Sequence, residues 1–269
     1  MPSSQKSTYN KATRGTKVSL VSQAIKAYKR KGLYYVVRVS AITIFRYLLA
    51  WYYGKFSSSE EFRFHGNTYR YLFHPYVTTW RNERAAVIPI IWDIVKKSRE
   101  QEKRILEVGN VLSYYFKVDH DILDKYEIMD GVINEDVADF NPLKRYDVII
   151  SIFTLVVVGW SEDIEAYRTG ANSSGVSPRD PNKVLRAINN LNRLLAPRGQ
   201  IVVFHPLGLN PAMDKLLKSG ELRFDKHYYL KRISGYRWKE VDGLDLHEVK
   251  YDKSIPSANE VLIGVINKS

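Results

Sequence analysis

Apolar positions change their spacing along this chain, and the changes mark its elements. From Leu33 to Tyr53 the run LYYVVRVSAITIFRYLLAWYY is mostly apolar, with Arg38 and Arg46 as its charges. It predicts one long helix, of about the 20 residues that cross a bilayer. Ser57-Ser58-Ser59 breaks it. Phe62 and Phe64 then alternate with Arg63, the period of a half-buried strand, and Gly66-Asn67 suits a two-residue hairpin turn. From Thr78 to Lys103 the pattern is helical, with Thr78 or Thr79 as cap, basic residues towards the end and Pro89 to kink or split it.

From Arg104 the pattern alternates between strand and helix. Ile105–Val108 is a first strand, HDILD ending at Asp124 a second, and GVINEDVADF holds a third. YDVIISIFTLVVV reads as a strand buried on both faces. Asp180 and Pro181 suit the start of a helix whose face is Val184, Leu185, Ile188, Leu191, Leu194 and Leu195, and Pro197 and Gly199 stop it. QIVVF is a fifth strand. Alternating strands and helices predict an α/β fold with a doubly wound, mostly parallel sheet behind an N-terminal helical extension. The division expected is residues 1–56 and residues 57–269.

The hydrophobic share of 45% supports a sizeable core. With no cysteine there is no disulfide and no thiolate metal site, which fits a cytoplasmic setting. The six histidines show no His-x-x-His or His-Glu-x-x-His spacing, so no resident metal is expected.

Charge is concentrated at one end. Residues 1–55 carry eleven basic side chains, the first acid is Glu60, and the formal net charge of the chain is +12. The rest is nearly neutral, which argues against a nucleic-acid partner. A basic segment leading into an apolar helix instead suits an anionic membrane surface. Each arginine at the centre of a span costs about 2.5–3.5 kcal/mol, so an in-plane helix on the inner membrane face is favoured over a span. A core helix packed on the body is the other alternative.

On a doubly wound sheet, ligands bind beyond the carboxyl ends of the strands. There stand Gly109 and Asn110 after the first strand, Asp124 at the end of the second and Asp136 after the third. Ser151 lies in the fourth strand and His205 follows the fifth. An acid ending the second strand can accept hydrogen bonds from ribose hydroxyls.

The order ILEVGN, HDILDKYE, INEDVADF, YDVIISIFTLVVVGW and NLNRLLAPRGQIVVFHPLG resembles the class I S-adenosylmethionine-dependent methyltransferases over roughly residues 80–268. The resemblance implies a seven-stranded Rossmann-like sheet, with a last strand in EVLIGVINK running antiparallel. It implies S-adenosylmethionine as cofactor, with Glu107, Gly109 and Asn110 at its methionine end. Asp124 would hold the ribose, Asp136 and Val137 would flank adenine, and Ser151 would join the cofactor site. NTYRYLFHPYVTTWRNERA and PRDPNKVLRAINNLNRLLAP resemble members found with glycan and surface-polysaccharide pathways. This implies a hydroxyl acceptor on a glycan or lipid-linked saccharide. His205 is then the candidate base, with Glu162 and Asp163 as rivals on the loop 161–181. That loop reads either as a lid over the cleft or as plain surface, and Trp160 as packing beneath the cleft.

The chain departs from the family pattern at three places. Val111 replaces the second loop glycine, Leu155-Val156-Val157-Val158 stands where relatives carry Glu-His, and Ala86-Val87-Ile88-Pro89 lacks an acid. Each change removes backbone freedom or a polar group from the expected cleft. The alternative is therefore a cofactor-binding or scaffolding relative without catalysis, also at the membrane. A dinucleotide oxidoreductase is disfavoured because residues 109–114 lack Gly-x-Gly-x-x-Gly.

Overall fold

The computed structural model describes residues 20–57, 59–159, 180, 182–243, 249–252 and 257–268. The apolar run forms helix α1, Leu20–Phe56, bent at Gly32 (φ 80°, ψ 171°). After the bend, exposed apolar side chains occur all round it. Leu33, Val37 and Ile44 lie on one side, and Tyr35, Val39 and Ile42 opposite. Contact with the body comes near its C-terminal end. Ala50 is buried, and Tyr53 stacks on Trp80 (5.5 Å between centroids) and Phe73 (5.9 Å) and meets Tyr236 edge-on. This exposure does not fit a helix buried in the core along its length.

Strands β1 (Glu61–Phe64) and β2 (Asn67–Arg70) pair as a hairpin. Phe64 faces Asn67, so the turn residues are His65 and Gly66, one position earlier than expected. Both have positive φ, 47° and 77°, as a type I′ turn requires. Tyr76–Arg81 is a 3₁₀ turn, and α2 begins only at Arg84 and runs to Glu100. Neither threonine caps it, because Val77 and Thr78 adopt positive φ and break the helical path. Pro89 sits inside α2 without splitting it. A proline has no N–H to give Ala85 four residues back, and the Leu72 N–H takes that carbonyl at 2.9 Å. The proline thus fastens the segment after the hairpin to α2.

The main sheet contains β3 (Ile105–Val108), β4 (Asp121–Leu123), β5 (Val132–Ile133), β6 (Tyr146–Ile152), β7 (Leu195–Pro206), β8 (Lys226–Ser234) and β9 (Arg237–Val241). A ribbon of β10 (Tyr251–Asp252) and β11 (Ser257–Ala258) precedes the last strand, β12 (Glu260–Asn267). The order is β5-β4-β3-β6-β7-β12-β8-β9. The first five run parallel, and β12 lies antiparallel between β7 and β8. The doubly wound sheet and its antiparallel last strand are as expected. It has eight strands rather than seven, because β9 extends the edge at β8. Trp238 on β9 is buried, and its backbone N–H donates to the Tyr71 hydroxyl at 2.8 Å.

Further boundaries differ from those the pattern predicts. β6 ends at Ile152, where Phe153 turns to φ 58°, and Leu155–Val157 is a 3₁₀ turn rather than strand. Helix α3, Lys183–Leu194, has Asn182 at its cap, and Leu195 already opens β7. Asp180 lies outside the helix, accepting the Asn182 N–H and pairing with Arg186. Helix α4 is Pro211–Ser219, capped by the Asn210 side chain. Helix α2 covers one face of the sheet, over Ile105, Val148, Ile150, Val202 and Phe204. Helices α3 and α4 cover the other, over Leu106, Ile149, Ile201 and Val203.

Candidate functional site

Strands β3 and β6 are neighbours, with Val108 paired to Ser151. From β3 the chain moves towards β4 and from β6 towards β7, so this is the sheet's switch point. Gly109, Asn110, Phe153 and Thr154 stand beyond it. Gly109 has φ +86°, and a Cβ there would fall 1.8 Å from Thr154 Oγ1. Only glycine satisfies both the dihedral and this contact.

Glu107 is fully buried beneath the loop. Its Oε1 accepts the N–H groups of Val111 and Leu112, both at 2.8 Å, and its Oε2 meets His120 Nε2 at 2.8 Å. The acid is a clamp for the loop. Val111 lends its side chain to the α2-side core where a glycine would offer nothing to pack.

Asp124 also holds loops. Its Oδ2 accepts the Asn110 N–H at 3.0 Å, and its Oδ1 accepts the N–H groups of Tyr126 and Glu127 at 2.9 Å. Three of about four acceptor positions on a carboxylate are therefore used. Asp136 lies between Lys183 Nζ (2.6 Å) and Lys125 Nζ (3.0 Å), and also accepts the Ala138 N–H. Burial pushes its carboxyl upward, but the bonds from Lys183, Ala138 and Lys125 outweigh this and hold it at about 2. Val137 is buried, with its carbonyl bonded by Asn190 Nδ2. Ser151 is buried, and its hydroxyl accepts the Leu155 N–H.

The Asp136 arrangement has a pH signature. A carboxyl depressed in the folded state adds stability above its unfolded value near 3.8, and loses it as pH falls through about 2. Urea midpoints of the native chain are expected to fall over that window. In Asp136→Asn this contribution is absent, and the midpoint near pH 7 is lower. Equal pH profiles for the two chains would deny the ion pairs a role in stability.

His205 on β7 is buried. Its Nε2 is 2.8 Å from Asp214 Oδ1 on α4, and the other Asp214 oxygen accepts the Gly208 N–H. Strand alternation puts His205 on the same sheet face as Val203, opposite Phe204 and the α2 side. Trp160, Glu162 and Asp163 lie outside the described residues, as does the loop 161–181 apart from Asp180.

The structure adds residues that strand spacing did not single out. Arg84 opens α2 and lies 5.1 Å from the Phe153 ring. Tyr115 makes a 2.6 Å hydrogen bond with Thr79, and Tyr76 stacks on Tyr114 at 4.0 Å. Burial pushes the Tyr76 phenol up to about 12 and also raises Tyr115. His74 meets Tyr115 edge-on, and its Nδ1 accepts the Tyr76 N–H. Burial lowers the His74 pKa, which favours a neutral ring with its proton on Nε2.

Three buried donors in this neighbourhood have no hydrogen-bond partner among the described residues: Arg84 Nη1, Asn110 Nδ2 and Trp80 Nε1. Buried donors normally find acceptors, so such a group points to a missing one. A guanidinium and an amide, beside aromatic rings at a switch point, suit a carboxylate carried by a larger, partly apolar ligand. The sequence signal was the Asn82-Glu83-Arg84-Ala85 quartet, whose parts diverge. Asn82 binds the Val77 carbonyl and the Arg84 N–H. Buried Glu83 accepts from Ser257 and Ala258 beside Arg232, and burial raises its carboxyl.

No protein-family model matches the sequence, and no curated protein matches it. Solved structures do resemble it. The N-methyltransferase NodS of Bradyrhizobium japonicum, solved with S-adenosyl-L-homocysteine, is 12% identical over 69% of this chain and 94% of its own, with a TM-score of 0.33. A possible histamine N-methyltransferase of Thermotoga maritima is 16% identical over 70% of this chain and 98% of its own, at 0.34. Magnesium protoporphyrin IX methyltransferase of Synechocystis, solved with its cofactor, is 8% identical over 67% of this chain and 78% of its own, at 0.33.

Proposed function

We propose that residues 57–269 form an S-adenosylmethionine-dependent methyltransferase domain and that residues 1–56 attach it to the cytoplasmic face of a membrane. The acceptor is a hydroxyl of a glycan or lipid-linked saccharide. The observation that carries the cofactor reading is the pair of unpartnered donors, Arg84 Nη1 and Asn110 Nδ2, at the switch point between β3 and β6. These residues would hold the cofactor's carboxylate. Asp124 has one acceptor position left for a ribose hydroxyl, and Asp136 with Val137 would border the adenine end.

When bound, the cofactor supplies a methyl group on a sulfonium, and an oriented acceptor displaces it in line. The protein's work is then mainly positioning. Tyr76, Tyr114 and Tyr115 wall the cleft and help exclude water. Thr79 fixes the Tyr115 hydroxyl. The 3₁₀ turn that carries Tyr76 and Thr79 also carries Trp80, on which α1 rests. That contact supports a cleft held near the membrane and an acceptor presented from it.

A second reading is cofactor binding without turnover, and a specific observation favours it. Among the described residues the acids of the cleft are already bonded within the fold, and His205 lies on the opposite sheet face. Among the described residues a hydroxyl acceptor then has no base in the cleft other than His74, whose Nδ1 already accepts the Tyr76 N–H. Incubation with methyl-labelled cofactor and a membrane glycolipid extract separates the two. Label in the glycan fraction supports transfer, binding without label supports the second reading, and label confined to protein or RNA overturns the acceptor class. Asp124→Ala is expected to weaken cofactor binding by about 1.5–3 kcal/mol, through the lost ribose bond and the released Asn110 loop. Unchanged affinity in titration would remove Asp124 from the site.

A further inference from the structure

A cavity of about 620 Å³ lies away from the switch point, between α4 and the strands β8 and β12. Its volume is in the range of small-molecule sites. Leu217, Leu222, Phe224 and Leu262 give it an apolar wall. Phe224 lies flat over Gly264, where a Cβ would come within 2.5 Å of the ring. The glycine thus lets the ring settle against the sheet and leaves room above it.

The mouth has the opposite character. Lys215, Lys218 and Arg223 line it and are exposed. Neither lysine has an ion-pair partner among the described residues. The one acid of the lining is Asp214. Its oxygens are taken by His205 Nε2 and the Gly208 N–H, so it faces the sheet's own polar groups. The rim is therefore net cationic over an apolar interior.

We propose that this cavity binds an amphipathic anion, with an apolar chain against Phe224 and Leu262 and a phosphate or carboxylate head between Lys215, Lys218 and Arg223. Apolar burial gives such a ligand its affinity, and the cationic rim gives it orientation. The site is separate from the cofactor cleft, and its ligand is a second molecule beside the one proposed there.

The test is photolabelling of the full chain, in nonionic detergent, with a diazirine-bearing farnesyl monophosphate. Label is expected on peptides of α4 and β8. Lys215→Glu with Lys218→Glu should cut it about tenfold, the scale of one or two charge-assisted contacts. Both lysines are exposed, so that double variant is expected to fold. Leu217→Trp, which fills the cavity, should cut it similarly. Farnesol and inorganic phosphate should each compete at least about tenfold less well than farnesyl monophosphate, since each lacks half of the match. Competition by oleate as well supports a general anionic head, and competition by the phosphate ester alone supports a phosphate head. Label found only on α1, label unchanged in both variants, or inorganic phosphate competing as well as the ester would overturn the proposal.

Discussion

Replacing Glu107 by alanine is expected to destabilise the chain by about 3–5 kcal/mol, a large part of a typical stability of about 5–15 kcal/mol. The side chain is fully buried and makes three hydrogen bonds. Alanine leaves the N–H groups of Val111 and Leu112 without an acceptor and the His120 ring without its carboxylate. Each orphaned group costs its own desolvation. The loop that carries Asn110 is then released, so cofactor binding should be lost with stability. Glu107→Gln keeps one carbonyl oxygen for the two N–H groups, and its loss should be smaller. Thermal unfolding of the three chains under one set of conditions checks the order. Equal midpoints for native and alanine chains would show that the clamp does not hold the loop.

Removing residues 1–56 is expected to move the protein from the membrane fraction to the soluble one. The exposed apolar side chains of α1 include Leu33, Val37, Ile42, Phe45, Leu48, Trp51 and Phe56. Burying them in lipid yields on the order of 10 kcal/mol, and the cost of Arg38 and Arg46 reduces this without cancelling it. The basic residues before the bend add attraction to anionic lipid, screened by salt. The full chain should therefore bind anionic vesicles with a part that salt weakens and a part that persists in high salt. A chain beginning at Ser57 should remain folded, at the cost of the Tyr53 packing on Trp80, Phe73 and Tyr236. If the full chain ignores such vesicles and the shortened chain unfolds, α1 serves the body and not a membrane.

The parts legible in the sequence were those set by local periodicity. The strand Tyr146–Ile152 follows from its continuous apolar run, and the apolar face of α3 from helical spacing, because burial selects the same residues that the pattern shows. Turn details were less legible. His65-Gly66 rather than Gly66-Asn67 makes the hairpin turn, since a one-residue shift of register leaves composition unchanged. Pro89 predicts a kink or a split from the sequence, because the Leu72 N–H that satisfies Ala85 comes from outside the helix. The site was legible as a place more than as a set of partners. Spacing brought Gly109, Asn110 and Asp124 to one sheet end, but it could not tell that Glu107 would turn inward or that Lys125 and Lys183 would both meet Asp136. Nor could it bring Arg84 to Phe153, 69 positions away, because that contact depends on how α2 lies over the sheet.

Calorimetric titration of the full chain with S-adenosylhomocysteine, repeated with Arg84→Ala, tests the cofactor cleft most directly. A charge-assisted bond from Arg84 to the ligand carboxylate is worth about 1.5–3 kcal/mol. The native chain should bind one equivalent, and Arg84→Ala should bind at least about tenfold more weakly while unfolding at a similar temperature. A folded native chain that shows no binding, or an Arg84→Ala chain that binds as tightly as the native one, would contradict a cofactor held at the switch point between β3 and β6.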